Sequence, residues 1–210
     1  MAKTISVSVI IPNYNHSKYL PKRIESVLNQ TFQDFEVILM DDCSPDNSQE
    51  ILEEYRHHPK VSKLLFNDQN SGSTFKQWEK GIQEAVGQYI WIAESDDIAD
   101  PLFLQTVMKV FQHSDRIGLV FTDSMKIDAD GKELGRYSQI ESFSNQVQWQ
   151  QDYQLDADNN GPGEFIYKNV IPNASAVVFK KEVYQKTGGG DTSMMLERCR
   201  AGLHATEEVA

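Results

Sequence analysis

The sequence predicts an α/β domain in which a mostly parallel sheet is flanked by helices. Two observations carry this. Short β-branched apolar runs alternate with amphipathic helical patterns, the signature of strands joined by right-handed helical crossovers. The length of 210 residues, with 40% hydrophobic and 24% charged residues, suits one substantial globular domain, since roughly 100–200 residues make one.

Val7-Ser8-Val9-Ile10-Ile11 reads as the first strand, stopped by Pro12, which has no amide hydrogen for a ladder. Leu20, Ile24, Val27 and Leu28 recur on one helical face, and Pro21 fits a first turn whose amides lack intrahelical partners. Residues 36–40 form the second strand. Asp46 and Gln49 resemble a capping box opening a helix through Ile51, Leu52 and Tyr55, closed by His57-His58-Pro59. Residues 63–66 are a third strand, 74–86 a helix stopped by Gly87, and 89–93 a fourth strand. Asp100 and Pro101 supply an N-cap and first-turn proline for a helix through Leu104, Val107, Met108 and Phe111. Residues 118–122 are a fifth strand, Asp130-Gly131 a turn between extended segments, and 175–179 a sixth strand.

Charge narrows the function. Twenty Lys and Arg against 31 Asp and Glu leave a net charge of −11, which argues against passive binding to nucleic acid or anionic lipid. A phosphorylated ligand held through a metal ion stays open. Two distant cysteines, Cys43 and Cys199, form no metal or disulfide spacing, so a reducing, cytoplasmic setting is expected. No signal-peptide core and no apolar run of membrane-span length is present in this sequence.

Ligands of such sheets bind beyond the carboxyl ends of the strands. Those ends carry Pro12-Asn13-Tyr14-Asn15, Asp41-Asp42-Cys43-Ser44 and Glu94-Ser95-Asp96-Asp97, and all three clusters are expected to face one crevice. Three carboxylates within four residues repel one another unless a positive charge neutralises them, and Mg²⁺ or Mn²⁺ prefers such oxygen ligands. A solvated acidic loop accounts for 94–97 equally well from composition alone. For Asp41-Asp42, a turn into the next helix is the plainer explanation.

The runs Val7 to Asn15, Asn29-Gln30-Thr31-Phe32, Phe35 to Ser44, Gly87 to Asp97 and Gly188-Gly189-Gly190-Asp191 follow one another in the order found in the family 2 glycosyltransferases, which the chain resembles over roughly residues 5–195. The resemblance implies the GT-A fold, a Rossmann-like, mostly parallel sheet. It also implies sugar transfer from a nucleotide-diphosphate donor, most often UDP-linked, to a saccharide or lipid-linked saccharide in polysaccharide or cell-surface glycan synthesis. The implied reaction is metal-dependent, with Mn²⁺ or Mg²⁺, and inverting. Such an enzyme works in the cytoplasm or peripherally at the inner face of the membrane.

Residue by residue, the resemblance places Pro12, Tyr14 and Asn15 along the nucleotide, with Tyr14 able to stack on a uracil ring. Asp42 would hydrogen-bond the base edge. Asp96 would sit near the ribose or the metal's water shell, and Asp97 would bind the metal directly. Glu94 stands where many relatives have the first Asp of an Asp-x-Asp motif, binding directly or through water. Relatives often carry an arginine shortly before the acidic strand. Here Lys76 is its substitute, a point charge without the bidentate fork, and a solvated helix face explains Lys76 and Lys80 as well.

The acceptor's proton needs a carboxylate base, typically worth 10²–10⁴-fold. The family's aspartate-and-aromatic helix does not follow Asp191, so the base is unassigned: of the acids left, Glu197, Glu207 and Glu208, none sits in such a motif, and Asp191 and Glu197 are the candidates, although Asp191 also reads as shaping a glycine-rich turn. The expected division is a GT-A domain over 1–196, truncated at its C-terminal end, and a tail of unclear origin over 197–210. A chain that binds donor better than it transfers sugar follows from that, and a donor-binding but catalytically incomplete fragment is the alternative. A nucleotidyltransferase would carry a glycine-rich loop where Pro12-Asn13-Tyr14-Asn15 stands. Trp78 and Trp91 read as core or lid residues, Trp149 and Tyr153 as acceptor contacts or loop packing, and Cys43 as a small buried neighbour of the base pocket.

Overall fold

The computed structural model describes residues 5–128, 130–139, 152, 171 and 173–189. Strands β1 (Val7–Asn13), β2 (Phe35–Asp41), β3 (Val61–Phe66) and β4 (Tyr89–Ile92) alternate with helices α1 (Leu20–Leu28), α2 (Ser48–Glu54) and α3 (Thr74–Glu84). Helix α4 (Phe103–Phe111) leads to β5 (Leu119–Phe121) and a hairpin of β6 (Met125–Ile127) and β7 (Glu133–Arg136). A further strand, β8 (Val177–Lys180), runs into α5 (Lys181–Lys186). The main sheet has the order β3-β2-β1-β4-β8-β5, with β1 to β4 parallel and β8 antiparallel to both its neighbours. No described helix is long and apolar enough to cross a membrane.

Alternation along β1 builds the layers. Val7, Val9 and Ile11 pack with Leu20, Ile24 and Val27 of α1 and with Leu104, Val107, Met108 and Phe111 of α4. Ile10 faces the other way, with Ile38, Met40 and Ile82 of α3. Both faces are covered, which is why β1 and β2 read as nearly continuous apolar runs. Within the apolar run of β1 stands Ser8, wholly buried, whose hydroxyl donates to Glu36 Oε1 at 2.5 Å and accepts from Gly87 N at 2.8 Å. Glu36 Oε1 also accepts from Val86 N at 2.9 Å. This cluster fixes the turn from α3 into β4 at the edge opposite the strand exits.

Several sequence expectations shift. Strand β1 runs through Pro12 to Asn13. Ile10 O points to β4, where it accepts from Ala93 N, whereas Asn13 O points to β2, accepting from Asp42 N. By the same alternation Pro12 turns its hydrogen-free nitrogen toward the β4 side, where β4 has already ended, and the β1–β2 ladder loses nothing. The capping box does not form: Asp46 Oδ1 accepts from Ser48 N at 3.0 Å, and Gln49 instead donates to Asp41 Oδ2 at 2.9 Å. Helix α2 ends at Glu54, so His57 and His58 lie beyond it, and His58 Nδ1 accepts from Lys60 N. Asp100 closes a tight turn onto Leu102 N at 2.8 Å, and α4 begins only at Phe103. Ser175 and Ala176 form a short 3₁₀ turn ahead of β8.

Candidate functional site

The parallel strands advance from β1 to β3 on one side, and β4 lies on the other side of β1, so the order reverses between β1 and β4. Crevices open at such a point beyond the strand ends. The three polar clusters meet there. Asn13 Nδ2 donates to Asp41 Oδ1 at 2.8 Å and to Ser44 Oγ at 3.2 Å, and Asn15 N donates to the same hydroxyl at 2.9 Å. Across the reversal, His16 Nδ1 and Ser95 Oγ share a hydrogen bond of 2.8 Å. Asn15 and Cys43, directly after β1 and β2, are the two non-glycine residues with positive φ among those described, at 58° and 60°. Backbone in this region is uncommon for cysteine and tends to gather at functional sites.

The two aspartates after β2 have separate duties. Asp41, wholly buried, accepts from Asn13, from Gln49 and from both the amide and hydroxyl of Ser44. Asp42, also buried, faces the segment leading into α3. Its Oδ1 accepts from Asn67 Nδ2 at 2.6 Å, Ser71 N at 2.9 Å and Gln77 Nε2 at 2.9 Å, and its Oδ2 from Ser71 Oγ at 2.7 Å. A carboxylate has about four lone-pair sites in all, two on each oxygen. Oδ2, with a single protein donor, retains room for a ligand donor; Oδ1 does not.

In the acidic loop, Glu94 is half-buried and accepts from Trp78 Nε1 at 2.6 Å, while its amide donates to Ser175 Oγ at 2.9 Å. Burial pushes its carboxyl up to about 7; Asp96 and Asp97 add to this, and the Trp78 bond and Arg23 oppose it. Asp96 is exposed and Asp97 half-buried, and no described protein group hydrogen-bonds or pairs with either carboxylate. Beneath them lies Arg23 of α1, 1% exposed, its guanidinium 5.2 Å from the centre of the Trp91 ring. Burial brings the Arg23 pKa down to about 10 against the pull of Asp97, Glu94 and Asp96.

No group of three or more His, Cys, Asp or Glu converges on one metal position among the described residues. The donor set still fits a hard divalent cation, which commonly takes one or two protein carboxylates and completes its shell with water and phosphate. Asp96 and Asp97 have no described hydrogen-bond donor, and Glu94 has one, on Oε1, so all three could supply such oxygens.

Of the other residues singled out in the sequence, Pro12 is buried and Tyr14 is 48% exposed beside it. Lys76, on α3, is exposed and its amine donates to Ser71 O at 3.2 Å, in the segment that leads into the helix. Lys80 donates to Asn67 Oδ1. Trp91 is wholly buried and donates to Ser175 O at 2.8 Å, a core role; Trp78 serves the site. Cys43 is half-buried, with Sγ 3.6 Å from Asp68 O. Asp191, Glu197, Trp149 and Tyr153 lie outside the described residues. Sequence reading missed Arg23, His16, Gln77 and Ser175. For Arg23 a signal existed: it falls three residues after Leu20 and one before Ile24, on the buried face of α1.

Comparison with known proteins adds to this geometry. The family model described as Glycosyl transferase family 2 matches residues 8–171. An uncharacterized glycosyltransferase, alr2836 of a Nostoc species, is 35% identical over 136 residues, 64% of this chain and 41% of that protein. The poly(ribitol-phosphate) beta-N-acetylglucosaminyltransferase TarS of Staphylococcus aureus is 38% identical over 94 residues, 43% of this chain and 16% of its own. The solved structure of TarS residues 1–349 with UDP superposes at a TM-score of 0.69 and 20% identity, covering 93% of this chain and 52% of that one. A mannosyltransferase from Pyrobaculum calidifontis, solved with GDP-Man and Mn²⁺, superposes at 0.63 and 17% identity, covering 92% and 49%. The chain thus spans about two fifths or less of the length of these curated relatives and about half of the solved chains.

Proposed function

The chain belongs to glycosyl transferase family 2, and on that premise we propose that it transfers a sugar from a nucleotide-diphosphate donor, most simply a UDP-sugar, to a saccharide or lipid-linked saccharide acceptor in glycan synthesis, with inversion and with a divalent cation. The observation that supports this reading is the meeting of the three strand exits at the β1/β4 reversal, where Asp96 and Asp97 have no hydrogen-bond partner among the described residues.

In this reading Tyr14, exposed beside the β1 exit, offers its ring to the base, and Asn15 and Asp42 Oδ2 offer polar contacts to the nucleoside. Asp96 and Asp97 hold the cation, Mn²⁺ or Mg²⁺, which when bound neutralises charge developing on the diphosphate. Glu94, whose Oε1 accepts from Trp78, would bind the cation through its remaining oxygen sites, directly or through water. Lys76 supplies a point charge if it exchanges Ser71 O for a phosphate. The sugar C1–oxygen bond to the diphosphate breaks as the bond to the acceptor oxygen forms; the nucleoside diphosphate departs and the acceptor proton passes to a carboxylate. Asp191 and Glu197 are the candidates for that base within this chain. A donor-binding unit whose transfer requires residues beyond it is the second reading, favoured by the fraction of its relatives' length that the chain spans.

A thermal-shift series with UDP-, GDP- and dTDP-sugars, with and without Mn²⁺ or Mg²⁺, tests the proposal. A donor present at a hundred times its Kd stabilises the folded state by about 2.7 kcal/mol, a shift of several degrees. Cation-dependent stabilisation by one donor class is expected. No shift with any donor and cation overturns the reading. Binding without turnover selects the second one.

A further inference from the structure

A positive charge from α1 is buried against the acidic loop. Arg23 is 1% exposed, yet its Nε and Nη2 have no hydrogen-bond acceptor among the described residues. Its visible compensation is the face of Trp91 at 5.2 Å and the attraction of Asp97, Glu94 and Asp96, whose loop is tied to α1 where Ser26 Oγ donates to Arg23 O at 2.8 Å and accepts from Ala99 N at 3.2 Å. A buried guanidinium with free donors is costly unless nearby negative charge offsets it. Equally, three clustered carboxylates are costly unless a cation offsets them. The two penalties cancel in part because α1 turns Arg23 inward from its apolar face while β4 ends just short of the loop.

This has a consequence for ligands, resting on the reading of 94–97 as the cation–diphosphate site. We propose that Arg23 is a positioning residue and built-in countercharge that keeps the acidic loop's affinity for a bare divalent cation low, so that the cation is held together with the donor diphosphate. A bare dication approaching Asp96 and Asp97 is repelled by the fixed guanidinium behind them. A dication already neutralised by a dianionic diphosphate suffers no such net repulsion, and the phosphate oxygens are drawn to the same charge. Arg23 therefore discriminates between the two forms without touching either.

The test is titration calorimetry of the full chain with Mn²⁺ alone, and with a UDP-sugar in the presence of Mn²⁺, for the wild type, Arg23→Lys, Arg23→Met and Arg23→Gln. Loss of the charge in Arg23→Met should tighten binding of bare Mn²⁺ on the order of tenfold, as expected for removing a like charge at close range in a partly dry site. Donor binding in the presence of Mn²⁺ should be unchanged or weaker. Arg23→Lys should stay near the wild type. Arg23→Gln, which keeps a polar head, gives the same reading if the methionine variant does not fold. Bare Mn²⁺ binding that is unchanged or weaker in a folded, charge-free variant overturns the proposal. Absence of Mn²⁺-dependent donor binding in the wild type overturns the underlying site reading instead, so the two failures are told apart.

Discussion

Trp78 Nε1 donates to Glu94 Oε1 at 2.6 Å, and the residue before it, Gln77, donates to Asp42 Oδ1 at 2.9 Å. Two consecutive side chains of α3 thus secure the carboxylates after two different strands. Helix α3 is the brace that sets the spacing between the nucleoside side of the crevice and its acidic side.

Trp78→Phe keeps the edge-on contact with Phe75 but removes the donor to Glu94. It should destabilise the protein by about 1–3 kcal/mol, the range for leaving a buried acceptor unpaired. Urea denaturation measures this, and a loss well under 0.5 kcal/mol would mean the brace is not needed.

Glu94 should impose a pH dependence on the metal-free protein. Burial, reinforced by Asp96 and Asp97, raises its folded pKa from the ordinary 4.5 to about 7, so folding takes up a proton between those values. Its stabilising contribution is complete below about pH 4.5 and is lost as pH rises through about 7. In a chelator, Tm attributable to this group should fall from pH 5 to pH 8, and Glu94→Gln should flatten that slope. A slope identical in the variant would assign the dependence to other groups.

Asp42→Ala removes the acceptor for Asn67, Ser71 and Gln77 together. Three side chains and one amide lose a charged partner, and a loss of about 2–4 kcal/mol is expected. Hydrogen exchange should accelerate at residues 67–77 more than elsewhere, and a uniform acceleration would contradict a local hub.

Asp96→Asn and Asp97→Asn should behave in the opposite sense. Neither carboxylate has a described hydrogen-bond partner, so Asp96→Asn should change Tm little and Asp97→Asn should lower it more, because Asp97 attracts the buried Arg23 most strongly, while cation-dependent donor binding weakens tenfold or more in both. Calorimetry with Mn²⁺ and a UDP-sugar reads this directly; retained affinity in both variants would remove them from the site.

Gly87→Ala should cost about 1–3 kcal/mol. An added Cβ would lie 2.5 Å from Ser8 N and 2.7 Å from Val7 C, backbone atoms that cannot step aside. Thermal unfolding of the variant provides the check.

The strand exits were legible because each apolar run stops abruptly in acidic or turn-forming residues, and a parallel sheet puts such stops on one edge. The direction and place of β8 were not. Ser175 to Phe179 reads as a strand in any sheet, and nothing local says that it inserts antiparallel between β4 and β5. The start of α4 was misread because Asp100 satisfies Leu102 N in a turn of its own before the helix begins. Arg23 was overlooked for a different reason: arginine is counted as surface by type, and its register on α1 is the one signal that marks it as buried.

Because β4 ends at Ile92 while the ladder from β1 to β2 continues, three residues, Ile11 to Asn13, overhang the last rung shared with β4. At about 3.3 Å per residue that step is on the order of 10 Å deep. The step belongs to the sheet itself and is as fixed as the ladder that holds it, so the loops around it can diversify in sequence without moving it.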